Sequence, residues 1–440
     1  MRTNSSIYQS SPKGAYSLER LFRALEAGSL ESEFLVGATV VSLSRHEGEL
    51  VLASQGSCLR VSQVRDEFFE DLKEGCIIVL KGLRTHLLLR PSDKLGVSPE
   101  SLVLRNPSEL MVMTKPLAEH PLRFQPYIAK RWELFLDTVR KSLKQNQLLE
   151  LRTPSLVPNP GMEPELEPFS TSFRLGSKEE LYFLPTSQEL HMKRLLASSF
   201  TDIFEIRSCF RNGELTPHHQ PEFLMLEWYR AFGDLDRIIE DIKNLLLDLG
   251  SVGFERASLV SELKIISMRE LFRQVLDFGL RPQTSLEEMR GLLQAFHIEF
   301  LPDDDWNELF HRIFLEKIDP WIANQKQPLL VYDFPPSLAA LARLTPEGFA
   351  DRFELYWGSL EIANAFHELN DPKEQRVRFV KDQKLRLQKG RVPLEIDEDF
   401  MRALEAGLPP SAGIALGLDR LFMALENLND IRQTQAFSFD

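Results

Sequence analysis

Residues 203 to 230 read Ile-Phe-Glu-Ile-Arg-Ser-Cys-Phe-Arg-Asn-Gly-Glu-Leu-Thr-Pro-His-His-Gln-Pro-Glu-Phe-Leu-Met-Leu-Glu-Trp-Tyr-Arg. The pattern predicts two strands joined by a polar loop that contains proline. Because side chains alternate along a strand, Phe223, Met225, Glu227 and Tyr229 share one face, while Leu224, Leu226 and Trp228 share the other. One face is therefore apolar and packed, and the other carries chemistry. At roughly 3.3 Å per residue, Phe223 and Tyr229 stand about 20 Å apart. That span suits an extended ligand with a flat ring at one end and a cation at the other, such as ATP joined to an amino acid.

Several stretches extend this site. Residues 123 to 146 carry Ile128, Trp132, Phe135, Val139 and Leu143 at helical spacing, which predicts a helix with one apolar stripe; a strand interrupted at Pro154 follows. Thr186-Ser187-Gln188-Glu189-Leu190 has a helix-start signature, so Glu189 either completes a cap or faces a ligand. The glutamates of the turn-rich loop Gly161 to Phe169 read as solvated charge. Phe353 to Ala363 has two strand-like arms around Gly358-Ser359, which sets Glu354 and Glu361 across a hairpin. Paired carboxylates suit Mg²⁺ shared with substrate phosphates, or form a plain acidic surface. Small residues alternate along Gly413 to Gly417 and leave a bare strip on one face. Arg420 follows, where the strand passes into a helix over 421–427, well placed for a phosphate.

The 440 residues carry a net charge of -13, which argues against a broad nucleic-acid-binding surface. Cys58, Cys76 and Cys209 are isolated, so neither a disulfide framework nor a zinc site is indicated. The N-terminus lacks an apolar signal core, and no run approaches ~18 apolar residues, so a cytoplasmic protein without a membrane segment is expected. Residues 1–33 read as a polar tail with a short helix at Leu18 to Leu30. Five β-rich runs, 34–44, 50–54, 58–64, 76–89 and 101–104, with a helix-like 66–73 after the third, have the order of an OB-fold barrel over 34–108. This stretch holds nine basic and nine acidic residues and few aromatics, which favours a structural or protein-docking role over RNA binding. Residues 109–122 read as a linker, and about 234–327 as an inserted helical subdomain.

Phe210-Arg211-Asn212, His219-Gln220-Pro221-Glu222-Phe223 and Glu227-Trp228-Tyr229-Arg230 resemble motif 2 of the class II aminoacyl-tRNA synthetases, in their lysine branch. The helix and strand of 123–156 resemble motif 1, the dimer element, and 413–420 resembles motif 3. Over 123–440 the ordered set is most similar to the paralogous elongation factor P lysine ligases. The resemblance implies an α+β fold: a class II catalytic domain, with an antiparallel sheet flanked by helices, behind an N-terminal all-β OB-like barrel. It also implies a homodimer that uses ATP and Mg²⁺ to activate lysine or β-lysine as an acyl-adenylate. Elongation factor P is the implied acceptor. The alternatives are a lysyl-tRNA synthetase that charges tRNA, and a non-catalytic paralogue that senses an amino acid or binds a partner.

By the same resemblance, Arg211 bridges the α-phosphate and the substrate carboxylate, and Arg420 meets the γ-phosphate. Asn212, His219 and Gly417 contact ATP, Phe223 stacks on adenine, and Glu354 and Glu361 hold Mg²⁺. Glu189 takes the α-amino group, and Glu227, Tyr229 and Glu368 converge on the side-chain ammonium. Asn364 and Phe366 belong to the substrate-binding segment. Ala415 crowds an α-amino acid more than a β-amino acid. Three departures stand out: Gly213 where glutamate is usual, His218 where tRNA-charging relatives tend to have arginine, and Ala365 where glycine is usual, which is expected to add a methyl near the amino-acid pocket.

Overall fold

The computed structural model describes residues 126–439 throughout, and N-terminal to them 15–27, 29–31, 33–44, 47, 49–54, 57–69, 72, 77–83, 87–91, 100–105, 107 and 109–114. The chain forms two compact units, residues 1–134 with 432–437 and residues 135–431 with 438–440.

The first unit contains β1 (Ala15–Ser17), α1 (Leu18–Glu26), β2 (Glu33–Ser44), β3 (Glu49–Ser54), β4 (Ser57–Ser62), a 3-10 turn (Asp66–Phe69), β5 (Ile77–Leu83), β6 (Leu87–Pro91), β7 (Glu100–Arg105) and β8 (Glu109–Thr114). β2, β3 and β4 form an antiparallel meander. The run expected over 76–89 divides into β5, which pairs with β2, and β6, which pairs with β7; β7 in turn lies parallel to β4. Consecutive strands thus reach both ends of the meander, a pattern consistent with a small barrel-like domain. Alternate residues Val36, Ala38 and Val40 point into its core with Leu18, Leu52 and Leu80. Some expectations are corrected. β1 pairs with β2, so residues 15–17 are not part of a tail. Residues 109–114 are not linker but β8, paired with β5. The helix-like segment is a 3-10 turn over Asp66–Phe69. Residues 1–14 and 115–122, to which the tail and linker readings also applied, lie outside the described residues.

α2 (Pro126–Gln145) supplies the predicted helix; its Phe135 packs edge-on against Phe254 and Phe422 at 5.9 and 5.4 Å. The second unit is built on a sheet in the order β14 (Lys264–Ser267), β15 (Leu329–Phe334), β16 (Ala350–Trp357), β17 (Leu360–His367), β18 (Ser411–Gly417), β13 (Glu222–Ala231), β12 (Asp202–Phe210), β9 (Leu149–Glu150). The sheet is antiparallel from β15 to β12 and mixed overall, because β9 and β14 join its edges in parallel. β10 (Ser170–Leu175) and β11 (Lys178–Phe183) form a separate exposed hairpin. Helices α3 (Glu189–Ala197), α4 (Leu235–Ser251), α9 (Pro372–Gln388), α10 (Glu398–Gly407) and α11 (Leu418–Glu426) flank the sheet. The insertion carries α5 (Met268–Leu276), α6 (Leu286–Ala295), α7 (Trp306–Ile313) and α8 (Asp319–Ala323). Their Phe272, Leu293 and Phe310 form a core with β15 and β16. The strand β14 was not expected there; four residues are too few for a period to show.

The back of the hairpin is tied down by one buried polar group. Asp241 of α4 accepts from Arg230 Nε and Nη2 at 2.8 and 2.7 Å and from Trp228 Nε1 at 3.2 Å. Arg230 also donates to Asp202 and to the Asn146 carbonyl. Removing the carboxylate would leave Trp228 Nε1 buried without its acceptor and Arg230 held only by Asp202 and the Asn146 carbonyl, which typically costs about 1–3 kcal/mol. Urea titration of Asp241→Ala should therefore show a loss of about that size; a loss below ~1 kcal/mol would mean that water or another group takes over the pair.

Candidate active site

Strand register brings most of the expected residues onto one face. Glu227, Ala415, Asn364 and Glu354 stand in one row across β13, β18, β17 and β16, and Tyr229, Gly413, Phe366 and Arg352 form the row beside it. With strands about 4.8 Å apart, Glu227 and Glu354 lie about 14 Å apart across the sheet. Ala365 pairs with Ile414 and Phe353 in the intervening row and is fully buried. Its methyl therefore points into the packed side, which corrects the expectation that it borders the amino-acid pocket.

At one end lies an acidic pocket. Glu227 accepts from the Ser187 hydroxyl at 2.6 Å, the Gln188 backbone N–H at 3.2 Å and the Tyr229 hydroxyl at 3.0 Å. Burial, reinforced by Glu189, pushes its carboxyl up to about 7. Glu368 is pushed up to about 8 by burial, against the opposing pull of Lys193. Its Oε1 is buried without a hydrogen-bond partner and lies where a Cβ on Gly413 would come within 2.4 Å, with Tyr229 Cε1 at 2.3 Å from the same point. Only glycine leaves room there for the Tyr229 ring and the Glu368 carboxylate to meet.

Sequence reasoning missed Lys193. Its side chain is 0% exposed and pairs with Glu189 Oε1 at 2.5 Å and Glu368 Oε2 at 2.6 Å. The i, i+4 spacing from Glu189 was the available signal. The capping alternative for Glu189 is not realised: the cap residue is Gln188, which makes no side-chain cap bond. Glu163 was also misjudged as solvated. It lines the cavity, and burial together with Glu189 pushes its carboxyl up. Its loop is held by Arg386, which donates to the Glu163 and Leu166 carbonyls at 2.8 and 2.6 Å.

The same cavity, of about 340 Å³, continues to two arginines: its lining includes Glu163, Glu189, Arg211, His219, Phe223, Glu361, Asn364, Phe366, Ala415, Gly417 and Arg420. The Arg211 guanidinium lies 5.1 Å from the Phe223 ring centroid, and its buried Nε has no partner, as is also true of Asn364 Oδ1. Arg420 lies in the first turn of α11, which starts earlier than expected. It donates to the His218 and Glu361 carbonyls at 3.2 and 2.9 Å and to His219 Nε2. Since arginine only donates, His219 carries its proton on Nδ1, 2.8 Å from Thr216 Oγ1. Burial and then Arg420 hold this imidazole down to about 4. Asn212 is exposed and does not line the cavity, whereas Glu214, next to Gly213, does.

Glu354 and Glu361 do not face each other directly. Glu354 pairs with Asn364 and Glu361 with Tyr356, and a bulge between these pairs restores both side chains to one face. Burial pushes Glu354 up to about 7, with Arg352 opposing and Glu361 adding to the shift. Its oxygens accept from Arg352 and the Tyr356 hydroxyl. Among the described residues no group of three or more His, Cys, Asp or Glu is arranged to hold a metal.

The raised carboxyls make a pH prediction. Folded Glu227 and Glu368 keep protons that the unfolded chain loses near 4.5. The stability they contribute is full below that value and is lost as pH rises through about 7 and 8. Urea midpoints should fall from pH 5 to pH 8.5 and fall less in Glu227→Gln/Glu368→Gln. Equal slopes in the two proteins would show that neither carboxyl is protonated in the fold.

Residues 123–440 match the family model described as tRNA synthetases class II (D, K and N). The chain is 36% identical over 320 residues to the elongation factor P--(R)-beta-lysine ligase of Buchnera aphidicola subsp. Schizaphis graminum, covering 71% of this chain and 95% of the relative. It is 38% identical over 320 residues to the protein of that name from Haemophilus influenzae strain PittGG, again covering 71% and 95%, and 35% identical over 321 residues to that from Klebsiella pneumoniae strain 342, covering 72% and 95%. With the motif 2 hairpin and the small-residue strand on one sheet and Arg420 in the helix that follows, the chain belongs to the class II tRNA synthetases of the D, K and N type.

Proposed function

We propose that this chain is an ATP-dependent ligase that activates lysine or β-lysine as an acyl-adenylate and transfers the acyl group to a lysine of elongation factor P. The observation that carries it is the buried, unpartnered Glu368 Oε1 beside Tyr229 and Glu227. An ammonium satisfies that oxygen; a methyl group would leave it desolvated and unpaired, at a cost of 1–3 kcal/mol or more. The acceptor is suggested by the names of the relatives.

In the first step a substrate carboxylate oxygen bonds to the α-phosphorus, and the bond to the β-phosphate bridging oxygen breaks, releasing pyrophosphate. Catalysis is then mostly positioning and charge stabilisation. Arg211, with its free Nε, neutralises the α-phosphate and the attacking carboxylate. Phe223, backed by Arg211, supports adenine, and Arg420, oriented by neutral His219, meets the γ-phosphate. Asn212 contributes to ATP binding only if its loop reorders. In the second step the acceptor amine attacks the acyl carbon, an amide forms and AMP leaves.

Magnesium suits the donor set, because two carboxylates that repel each other in a buried site are relieved by a hard divalent cation. Glu361 would hold it chiefly, with Glu354 beside it, and the ion would neutralise phosphate charge. We further propose a cytoplasmic homodimer joined along the motif 1 edge, where β9 ends the sheet with Leu149 half exposed. Among the described residues, no helix is long and apolar enough to cross a membrane.

Charging of tRNA is favoured by one observation: about 71% of this chain already covers 95% of the relatives, so the remainder, with its barrel-like domain of OB type in our reading, has no counterpart in them. A non-catalytic role is opposed by the presence of Arg211, Arg420, Glu354, Glu361 and Glu368.

The test is ATP–pyrophosphate exchange with β-lysine, lysine and norleucine. Norleucine should be inert, since it lacks the side-chain ammonium. Ala415 lines the cavity and shares a row with Glu227, so its methyl should favour β-lysine. Ala415→Gly should shift the ratio toward lysine by about 10-fold, the effect of a methyl-sized difference. A wild type that prefers lysine, with a ratio unchanged by glycine, would bring the tRNA-charging alternative forward.

A further inference from the structure

Four carboxyls, Glu163, Glu189, Glu227 and Glu368, meet at the acidic pocket, together with the Tyr229 hydroxyl. Carboxylates gathered in a dry site cannot all stay ionised without a cation; one takes a proton and becomes a donor, which no longer accepts from an ammonium. Lys193 is the cation the fold supplies. It rises from α3 one turn after Glu189 and is fully enclosed. Its ammonium meets Glu189 Oε1 at 2.5 Å and Glu368 Oε2 at 2.6 Å. Glu368 is fixed from the other side, since its backbone N–H donates to the Ser411 carbonyl at 2.9 Å. The two oxygens of Glu368 therefore divide their work: Oε2 turns to Lys193, and Oε1 turns to the space at Gly413 and Tyr229.

Resting on the functional reading above, we propose that Lys193 is a positioning residue: a resident counter-ion that offsets the charge of Glu189 and Glu368 and holds them at a fixed separation, so that their remaining oxygens read the two ammonium groups of the substrate. Lys193 does not stand in for the substrate, because it approaches Glu368 through the oxygen that the pocket does not use. The groups facing it are Glu189 on its own helix and Glu368 after β17; Glu227 and Tyr229 of β13 and Glu163 of the 161–169 loop complete the set acting on these carboxyls. A purely structural ion pair predicts a different behaviour. Its loss would lower stability and leave the pH dependence of substrate binding alone.

The experiment uses the full chain with Lys193→Met, which keeps side-chain length without charge, and Lys193→Arg, which keeps charge. Exchange kinetics are run from pH 6.5 to pH 9 with β-lysine and lysine, and KM for ATP is measured in parallel. For Lys193→Met the KM of the amino acid should rise at least ~10-fold at pH 7, the equivalent of one pKa unit. The deficit should shrink toward pH 9 as Glu368 ionises, while KM for ATP stays within about 2-fold, since Lys193 shares no partner with Arg211 or Arg420. Lys193→Arg should keep the wild-type pH profile. Loss of stability with an unchanged KM, or a KM deficit equal at every pH, would reduce Lys193 to a structural pair. Should the methionine protein not fold, an arginine protein with a displaced pH profile would overturn the proposal, and one with the native profile would support it. A wild type that activates neither amino acid refutes the functional reading itself, and that result is distinct from any change among the variants.

Discussion

Concentrating negative charge out of water is the constraint on which this site depends. Each carboxylate placed in a dry pocket loses hydration and repels its neighbours, so it ionises only where hydrogen bonds or a cation offset the cost. Glu227 is satisfied by Ser187, Gln188 and Tyr229. Glu189 and Glu368 share Lys193. Burial still raises Glu227 to about 7 and Glu368 to about 8, so the balance is incomplete, and the diammonium ligand of the proposed function would complete it.

The sheet turns this balance into a reading of length. Rows across β13, β18, β17 and β16 set Glu227 and Glu354 about 14 Å apart, and one cavity holds Glu163 and Glu189 together with Arg211 and Arg420, so the function proposed above has an extended molecule meet carboxyls at its amine end and the arginines at its phosphate end. Gly413 leaves room for Tyr229 and Glu368. The register holds because the reverse face of β13 is anchored: Trp228 and Arg230 both reach Asp241. Packing on one face thus sets positions on the other, and His219 plays the matching part for Arg420.

Much of this was legible in residue order. Alternation in Phe223, Met225, Glu227 and Tyr229 assigned the working face, and the small residues of 413–417 marked a strip of close approach. Both signals are local, because a strand's period is two residues. What stayed hidden depended on register between distant strands. A bulge decides that Glu354 and Glu361 share a face although neither opposes the other, and pairing with Ile414 turns Ala365 away from the pocket. Lys193 and Glu163 were unreadable for another reason: a lysine on an amphipathic helix and a glutamate in a turn are ordinarily solvated, and only tertiary burial makes them part of a site. In the N-terminal unit, β8 was taken for linker because a single short apolar run does not reveal its partner.

The central claim is that the activated amino acid goes to a protein amine. The most direct measurement offers the purified chain ATP and radiolabelled β-lysine together with elongation factor P and tRNA in one reaction, then treats the products with mild alkali. The account predicts label on elongation factor P that survives alkali, as an amide does. Label on tRNA that alkali releases, as expected of an ester, with elongation factor P unlabelled, would contradict it.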